Sequence, residues 1–451
     1  MTDAIALPRV AGGRWAFGER LRGLWRAHPW LCAGIVAGYL LRLVLMPAAG
    51  YGDLHAIAYA LHLLAFDGSL QPYSIIHAIP EDLVPVPGLF DFFTYPPLTY
   101  LVLGGAMALL RPFYGEGFGP AVGLNFYDLM SMRPQIALWL FLYKLPLLAA
   151  DIAILATFWK IGADAGQKLR LAALWALNPV AIITAYLFGQ FDFLPALFIL
   201  IGWTAAMRGR PGWGAAALGI SAGFKVYSVL VIPVFAVIAG RSLRDRIRLG
   251  AIAAGVFVIT LLPTAFDPMA LPVMFGSNSV QQTTENGIRV GQMFEHDGIL
   301  SLVFVGVAFL FLHAERAAAG RTDRLLAYLI AVLVLTYSLT FGHLQWFTSA
   351  VVLMVLEWEA RPSSRLVQVL LYGCALVVAF SWQVGGIFDF FLPVWPDVNL
   401  GWPSLWNFLP EALTRSLVDA ARSGLAGAAL FWVYANVFRA GTPSLEAPAR
   451  E

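Results

Sequence analysis

GDLHAIAYALHLLAFDGSLQPYSIIHAIPEDLVPVPGLFDFFTYPPL, residues Gly52–Leu98, is a long polar stretch that separates the first two membrane-length apolar runs of the chain. Its ionisable side chains are five acids and three histidines: Asp53, Asp67, Glu81, Asp82, Asp91, His55, His62 and His77. Several Pro, Gly and Tyr residues follow before the second apolar run begins. A polar segment of this length between two spans indicates a functional loop on one side of a membrane.

The composition indicates a membrane protein. Of 451 residues, 59% are hydrophobic and 12% are charged, whereas soluble domains are about 25% charged. Apolar runs of about 15–25 residues recur, which predicts an all-α polytopic membrane protein. The net charge of +2 gives no reason to expect nucleic acid as a partner. Cys32 and Cys374 both lie in apolar runs, so neither a disulfide framework nor a zinc site is expected.

The basic N-terminal segment predicts the orientation of the first span, which is expected from Trp30 to Met46. Because basic residues favour the cytoplasmic side, residues 1–28 are expected in the cytoplasm and the loop 47–95 outside. Proline suits the first turn of a helix, so Pro96-Pro97 is expected to open the second span. Residues 29–440 then form a single transmembrane domain, followed by a cytoplasmic tail over 441–451.

Further basic clusters mark cytoplasmic turns, near 160–170, 208–210, 241–248, 316–324 and 361–365. They place the segments 267–298 and 383–420 outside and give about 12–14 spans. Residues 135–160 fit either one crossing or two short ones that turn near Lys144-Leu145-Pro146. In the first loop, apolar residues at helical spacing predict an amphipathic helix on the membrane surface over Leu54–Phe66.

Two charged residues flank the outer end of the first span. Asp53 can act there as a general base, or it can cap the N-terminus of the helix that follows, and the two roles are compatible. Arg42 lies within the span, where a charge needs a partner. It can pair with Asp53, hold a lipid phosphate, or extend its side chain to the interface.

Lys225 is the most isolated charge of the chain. It lies in GISAGFKVYSVLVIP with apolar residues on both sides, and a buried lysine needs an anion. A phosphate from a lipid-linked donor would fit, and so would a carboxylate such as Asp192. Gln190 and Asp192 interrupt two apolar runs, where they can bind sugar hydroxyls or cap a turn between two helices.

Three further features carry polar groups. His343 lies at an outer hinge, in HLQW, where it can donate to a phosphate, contact a sugar or serve as an ordinary interfacial histidine. Lys144 and Asp151 lie seven residues apart, on one helix face, where they can form a structural ion pair or neutralise neighbouring charges inside the bundle. The polar loop 276–298 contains Glu285 and can be an acceptor-side lid or a solvated connector. The acids and histidines lack metal-ligand spacing, so no metal site is assigned and a divalent cation is left open.

These features, in this order, resemble the GT-C superfamily of membrane glycosyltransferases that use polyprenyl-phosphate sugars. The similar segments are GSLQPYS (Gly68–Ser74), TYPPL (Thr94–Leu98), LNPVAIITAYLFGQFD (Leu177–Asp192), GFKVYSVLVIP (Gly223–Pro233) and HLQWF (His343–Phe347), together with Arg42, Asp53, Lys144 and Asp151. The chain is similar to the family 87-like mannosyltransferases of bacteria and to the first mannosyltransferase of glycosylphosphatidylinositol assembly. The latter has Asp-x-Asp in its first loop, whereas this chain has Asp53-Leu54-His55.

The resemblance implies a GT-C fold and an inverting transfer of a hexose, with mannose expected, on the periplasmic side of a bacterial inner membrane. Asp53 would deprotonate the acceptor hydroxyl. Cations would hold the donor phosphate, and the candidates are Lys225, Arg42 and His343. The residues assigned to the sugar or the acceptor are His55, Tyr95, Gln190, Asp192, Gln345 and Glu285. The implied partners are a polyprenyl-phosphate sugar, membrane lipids, and a glycolipid, glycan or protein acceptor.

Two other classes fit the composition. A transporter or a flippase for lipid-linked substrates should have inverted halves with broken helices and charges near the midplane. This chain has no evident two-fold hydropathy symmetry, and its polar residues concentrate in one early loop. A non-catalytic scaffold would leave the isolated charges of Arg42 and Lys225 without a reason.

Overall fold

The structure is a computed structural model that describes residues 22–50, 53–79, 93–115, 117–118, 133–276, 287–293, 296–340, 343–381 and 405–439. The side chains at 53, 55, 133, 134, 287–293, 296–300, 406 and 407 lie outside what it describes. Within these ranges the regular secondary structure is helical except for one hairpin, an antiparallel pair of strands in which Gly287 faces Ser301. The strands are β1 (Gly287–Met293) and β2 (His296–Ser301).

The first half of the chain contains α1 (Pro29–Ala48), α2 (Asp53–Ala65), α3 (Pro72–His77), α4 (Pro97–Leu109), α5 (Arg111–Tyr114), α6 (Arg133–Ile161), α7 (Ala165–Ala176), α8 (Pro179–Ile182), α9 (Phe193–Met207) and α10 (Pro211–Phe224). The second half contains α11 (Val231–Ala239), α12 (Leu243–Leu261), α13 (Ala270–Gly276), α14 (Leu302–Ala317), α15 (Leu325–Leu339), α16 (Leu344–Ala360), α17 (Arg365–Phe380), α18 (Leu405–Phe408) and α19 (Glu411–Val433). Single turns of π-helix continue two of them, at Ile183–Leu187 and Tyr434–Phe438, and 3-10 turns occur at Val226–Leu230, Leu262–Phe266, Thr322–Arg324 and Pro362–Ser364.

The described helices make this a polytopic helical membrane protein. Five are long and apolar enough to cross a membrane: Pro29–Ala48, Gln135–Ile161, Leu243–Phe266, Thr322–Leu339 and Pro362–Phe380. A sixth crossing results if the pair Ala165–Ala176 and Pro179–Leu187, bent by 49°, is one span. The predicted 12–14 spans include shorter half-helices, and the described residues also form apolar helices of 10–17 residues, such as Phe193–Met207.

Residues 135–160 form one helix and not two. The helix α6 runs through Pro146, with no turn near Lys144. A proline removes one backbone donor from a helix, which neighbouring helices within a membrane protein can tolerate. The segment predicted outside at 383–420 includes the beginning of α19 at Glu411, and its location stays a prediction. Residues 382–404 and the predicted tail 441–451 lie outside the described part.

The helix predicted in the first loop is confirmed as α2, Asp53–Ala65. It does not have the exposed polar face of a surface helix, because none of its described side chains is exposed. Ile57 and Leu61 are almost fully buried. The helix packs against α4 at Gly104, where an added Cβ would lie 2.9 Å from the Leu64 side chain. The packing of α2 therefore fixes the chain directly after the first span.

Ion pairs and hydrogen bonds gather the basic helix ends at one end of the bundle, which we call the basic end. The contacts that join these helix ends are Arg170–Glu359, Arg208–Lys160, Arg246–Glu315, Arg324–Val437 and Arg361–Asn436. Two of them join helix ends, those of α6 to α9 and of α16 to α19, and the other three join the ends of α14, α16 and α19 to α12, α7 and α15. The clustering agrees with the prediction that these basic turns share one side of the membrane, and their cytoplasmic location stays a prediction.

The opposite, or polar, end holds the end of α1, the beginning of α2, the residues 189–192, Lys225 and the end of α12. Asp267 ties α3 to this end, because its carboxylate accepts from the backbone N–H of Tyr73 at 2.8 Å and of Ser74 at 3.1 Å. It also accepts from the Ser74 hydroxyl. The N-terminus of α3 is thus capped by an acid that lies 194 residues after Tyr73 in the sequence.

Lys144 and Asp151 do not pair with each other, whereas Asp151 neutralises a charge on a neighbouring helix, which was the other role expected. Seven residues rise about 10.5 Å along a helix, which is too far for a direct pair. Asp151 instead binds Arg42, with 2.6 Å between Oδ2 and Nε, and both side chains are fully buried. Lys144 donates to the backbone oxygens of Leu45, Ala49 and Tyr186.

Arg42 is held in a buried structural network, and these contacts give no support to its predicted role as a phosphate ligand. Besides Asp151, its guanidinium donates to Gly38 O at 3.1 Å, Trp175 O at 3.1 Å and Ala176 O. The Asp151 carboxylate also accepts from the hydroxyls of Tyr39 and Tyr186 and from the Trp175 indole N–H. Every charge in this buried network has a partner, and the network joins α1, α6 and α7 beneath the polar end.

Candidate functional site

A buried ion pair lies at the centre of the polar end. Lys225 Nζ is 3.4 Å from Asp192 Oδ2, and the two side chains are 5% and 1% exposed. This confirms the carboxylate that the sequence offered as one possible partner of Lys225. A charge pair removed from water needs further polar or polarizable contacts to be tolerated.

Aromatic rings supply part of those contacts. Lys225 Nζ lies 4.4 Å from the centroid of the Tyr95 ring and 4.6 Å from that of Phe191. The two rings meet edge to face, with centroids 4.7 Å apart. A lysine over the faces of two rings gains cation–π attraction at both. The polar stretch Gly52–Leu98 thus contributes Tyr95 directly to the site.

Residues of two later segments complete the cluster. The Tyr227 hydroxyl lies 3.3 Å from Asp192 Oδ1 and 3.0 Å from the Ser349 hydroxyl. The Trp346 ring is 6.0 Å from the Tyr227 ring, and the His343 ring is 5.3 Å from the Trp346 ring. The HLQWF segment therefore meets Lys225 and Asp192 through Tyr227.

The turn before Asp192 follows from the local sequence. Asn178 caps α8 by accepting from the N–H of Ala181, and Pro179 occupies the first helical position. The π-helical turn Ile183–Leu187 widens the backbone before the chain leaves the helix at Gly189. Gly189 has a φ of +72°, and a Cβ there would lie 2.6 Å from the Leu54 side chain. Only glycine meets both conditions, so the turn packs directly on the first residues of α2.

Lys225 lies at a break between two helices. The helix α10 ends at Phe224, and Lys225 has an extended backbone before the 3-10 turn Val226–Leu230. The Ser221 hydroxyl holds this break, because it lies 2.9 Å from Pro195 O and 3.0 Å from the Ser228 hydroxyl. The break brings Lys225 against Asp192 at the beginning of α9.

Lys144 positions the site without belonging to it. Its ammonium group donates to Ala49 O and to Tyr186 O, 2.7 Å away. Ala49 precedes Asp53 by a few residues, and Tyr186 precedes Gly189. The neighbouring Tyr143 hydroxyl donates to Gly189 O at 3.0 Å. The two side chains of α6 thereby bind the chain on both sides of the contact between α2 and the 189–192 turn.

The structure brings together most of the predicted site residues that it describes. Lys225, Asp192, Tyr95 and His343 lie in the cluster. Gln190 and Gln345 are buried within the same two segments, at 1% and 4% exposure. The side chains of Asp53 and His55, and all of Glu285, lie outside what the structure describes. Their predicted roles stay predictions.

Sequence analysis missed Tyr227, Ser349, Phe191 and Asp267. Tyr227 could have been recognised from its position two residues after Lys225, in the turn that follows the helix break. Ser349 lies within an apolar run and gave no signal. Among the described residues, no group of three or more His, Cys, Asp and Glu side chains is arranged to hold a metal ion.

The arrangement suits an anionic group that approaches from the polar end. One carboxylate and two ring faces hold the Lys225 ammonium group in place without a substrate. Hydroxyl and indole groups beside it can bind a sugar through hydrogen bonds and ring contact. Family models and curated proteins were both searched with this chain, and neither search found a match.

Proposed function

We propose that this protein is an inverting glycosyltransferase with a GT-C fold. It would move a hexose, with mannose expected, from a polyprenyl phosphate to an acceptor hydroxyl on a glycolipid, glycan or protein. The reaction would take place on the periplasmic side of a bacterial inner membrane, because the polar end lies opposite the basic end.

The observation that carries the proposal is the cluster around Lys225. It combines a buried cation with aromatic and hydroxyl groups at the polar end, as a lipid phosphate joined to a sugar would require. The same cluster lies against the first turn of α2. Gly189, which is three residues before Asp192, packs on Leu54 of that turn. That turn begins at Asp53, the proposed general base.

The chemistry requires one bond to form and one to break. The acceptor oxygen attacks the anomeric carbon as Asp53 takes the hydroxyl proton. The bond between the anomeric carbon and the phosphate oxygen breaks, and the phosphate leaves with the electron pair. The new glycosidic bond forms on the opposite face of the sugar, so the anomeric configuration inverts.

Within this scheme, Lys225 stabilises the charge that develops on the leaving phosphate, and His343 donates from the other side. Asp192 orients Lys225, and Tyr95 and Phe191 form an apolar wall beside it. Gln190 and Gln345 are the candidates for the sugar hydroxyls. Arg42 has no part in binding the donor, since Asp151 and three carbonyl groups occupy its guanidinium.

Donor binding tests the role of Lys225. Purified protein in detergent would be titrated with radiolabelled polyprenyl-phosphate mannose, as wild type and as Lys225→Met. Loss of one charge-assisted hydrogen bond should weaken binding by about tenfold or more. The matched control is Lys160→Met, which removes an exposed lysine at the basic end. Equal affinity in all three proteins would reject Lys225 as a phosphate ligand.

A second candidate is a transporter or flippase for a lipid-linked substrate. The interruptions at Leu177-Asn178 and at Lys225 favour it, because transporters bind their substrates at broken helices. Proteoliposomes loaded with the labelled donor would distinguish the two. A flippase moves the intact donor between leaflets, whereas a glycosyltransferase releases polyprenyl phosphate.

A further inference from the structure

A cleft of about 730 Å³ opens at the basic end, between α1, α7, α16 and α17. Its volume lies within the range of about 300–1,000 Å³ that is typical of small-molecule pockets. Its inner wall is apolar and includes Met354, Val355 and Leu174. Leu177 and Val369, at 52% and 51% exposure, form an apolar rim. An acyl chain from the surrounding bilayer matches this lining.

Charged residues of both signs line the other part of the cleft. Arg170 donates to Glu359 at 2.7 Å, and the Glu359 side chain is only 11% exposed. Arg365 donates to Trp358 O at 3.0 Å and places its guanidinium 5.6 Å from the centre of the Trp358 ring. Two guanidinium groups and one carboxylate therefore lie beside an apolar space, a combination that suits a zwitterionic headgroup better than an anionic one.

One buried side chain that lines the cleft has a hydrogen-bond acceptor without a partner. Gln368 is fully buried and lines the cleft. Its Nε2 donates to the Ser364 hydroxyl at 3.3 Å, whereas its Oε1 has no hydrogen-bond partner among the described residues. Because a buried amide oxygen without a donor destabilises a fold, a ligand N–H or O–H group is expected at this position.

We propose that this cleft binds a phospholipid with a primary ammonium headgroup, of the phosphatidylethanolamine class. The phosphate lies against Arg365 and Arg170, the ammonium group donates to Gln368 Oε1 and faces the Glu359 carboxylate, and one acyl chain occupies the apolar wall. The site lies at the opposite end from Lys225, so it is separate from the proposed donor site and does not depend on the proposed enzyme activity.

Native mass spectrometry of the purified, delipidated full-length protein tests this assignment. The protein would be titrated separately with phosphatidylethanolamine, phosphatidylcholine and phosphatidylglycerol of identical acyl chains. Phosphatidylcholine has the same charges but no N–H donor. The affinity for the first bound phosphatidylcholine should therefore be about tenfold lower than for the first bound phosphatidylethanolamine. Equal affinity of the wild-type protein for these two lipids, or a preference for phosphatidylglycerol, would overturn the proposal.

Two variants separate the contributions of the headgroup. Gln368→Leu should weaken phosphatidylethanolamine alone and bring its affinity to that of phosphatidylcholine. Arg365→Gln should weaken both lipids by the same factor, because both carry the phosphate. The control is Arg244→Gln, an exposed arginine of α12 at the same end, which should change neither affinity. An unchanged lipid preference in Gln368→Leu would contradict the assigned hydrogen bond.

Discussion

Replacing Arg42 by methionine should destabilise the fold and should not act as the removal of a substrate ligand. The guanidinium is fully buried and bridges α1 to α6 and α7 through Asp151, Trp175 O and Ala176 O. Methionine keeps much of the apolar stem but none of the donors. The Asp151 carboxylate would then stay buried with its charge uncompensated.

The magnitude follows from what remains around Asp151. Breaking a buried ion pair by removing one partner costs about 3–5 kcal/mol. Three neutral donors, from Tyr39, Trp175 and Tyr186, still reach the carboxylate after the substitution. Hydrogen bonds to an ionised group offset part of the penalty, so we expect a loss near the lower limit, about 3–4 kcal/mol.

Equilibrium unfolding in mixed micelles with increasing SDS, followed by circular dichroism, measures this loss. The matched control is Arg415→Met, which breaks an ion pair with Glu411 in which both side chains are about two-thirds exposed, at 69% and 67%. An exposed pair contributes about 0–1 kcal/mol, so this variant should unfold close to wild type.

The reasoning would be refuted if Arg42→Met unfolded at the same SDS fraction as Arg415→Met. It would also be refuted if Arg42→Met kept its stability and lost donor binding, since Arg42 would then be a phosphate ligand after all. Stability loss together with normal donor affinity at low temperature is the expected result.

Two further predictions concern the backbone around the site. Gly189→Ala should lower the unfolding free energy by about 1–3 kcal/mol, because alanine is strained at a φ of +72°; Gly105→Ala, in a helix with open space around it, should show no loss in the same SDS assay. Asp267→Ala should remove the cap of α3 at a cost of about 0.5–2 kcal/mol, and hydrogen exchange at Tyr73 and Ser74 should become faster; unchanged exchange would show that the carboxylate does not hold α3.

Local sequence patterns predicted part of this molecule well. The apolar runs correspond to described helices such as Pro29–Ala48 and Phe193–Met207, because hydrophobicity over a span-length segment needs no knowledge of neighbours. Lys225 was recognised as a buried charge for the same reason. Its partner Asp192 was among the candidates because both lie at interruptions of apolar runs.

Contacts between residues that are far apart in the chain could not be predicted from the sequence. Arg42 and Asp151 are 109 residues apart, and nothing in either segment specifies that α1 packs beside α6 in this register. Helical spacing placed Lys144 and Asp151 on one face correctly, but it says nothing of which neighbouring helix each side chain meets. Asp267 was placed only as the first residue of the outer segment 267–298, because capping of a distant helix leaves no local pattern.

The central claim is tested most directly by turnover of radiolabelled polyprenyl-phosphate mannose, with wild type beside Asp53→Asn and a membrane lipid extract as acceptor. We predict mannose transfer with inverted anomeric configuration by wild type, and loss of transfer in Asp53→Asn with donor binding unchanged. Equal turnover by both proteins would contradict Asp53 as the base, and movement of the intact donor across proteoliposomes with no transfer would contradict the glycosyltransferase itself.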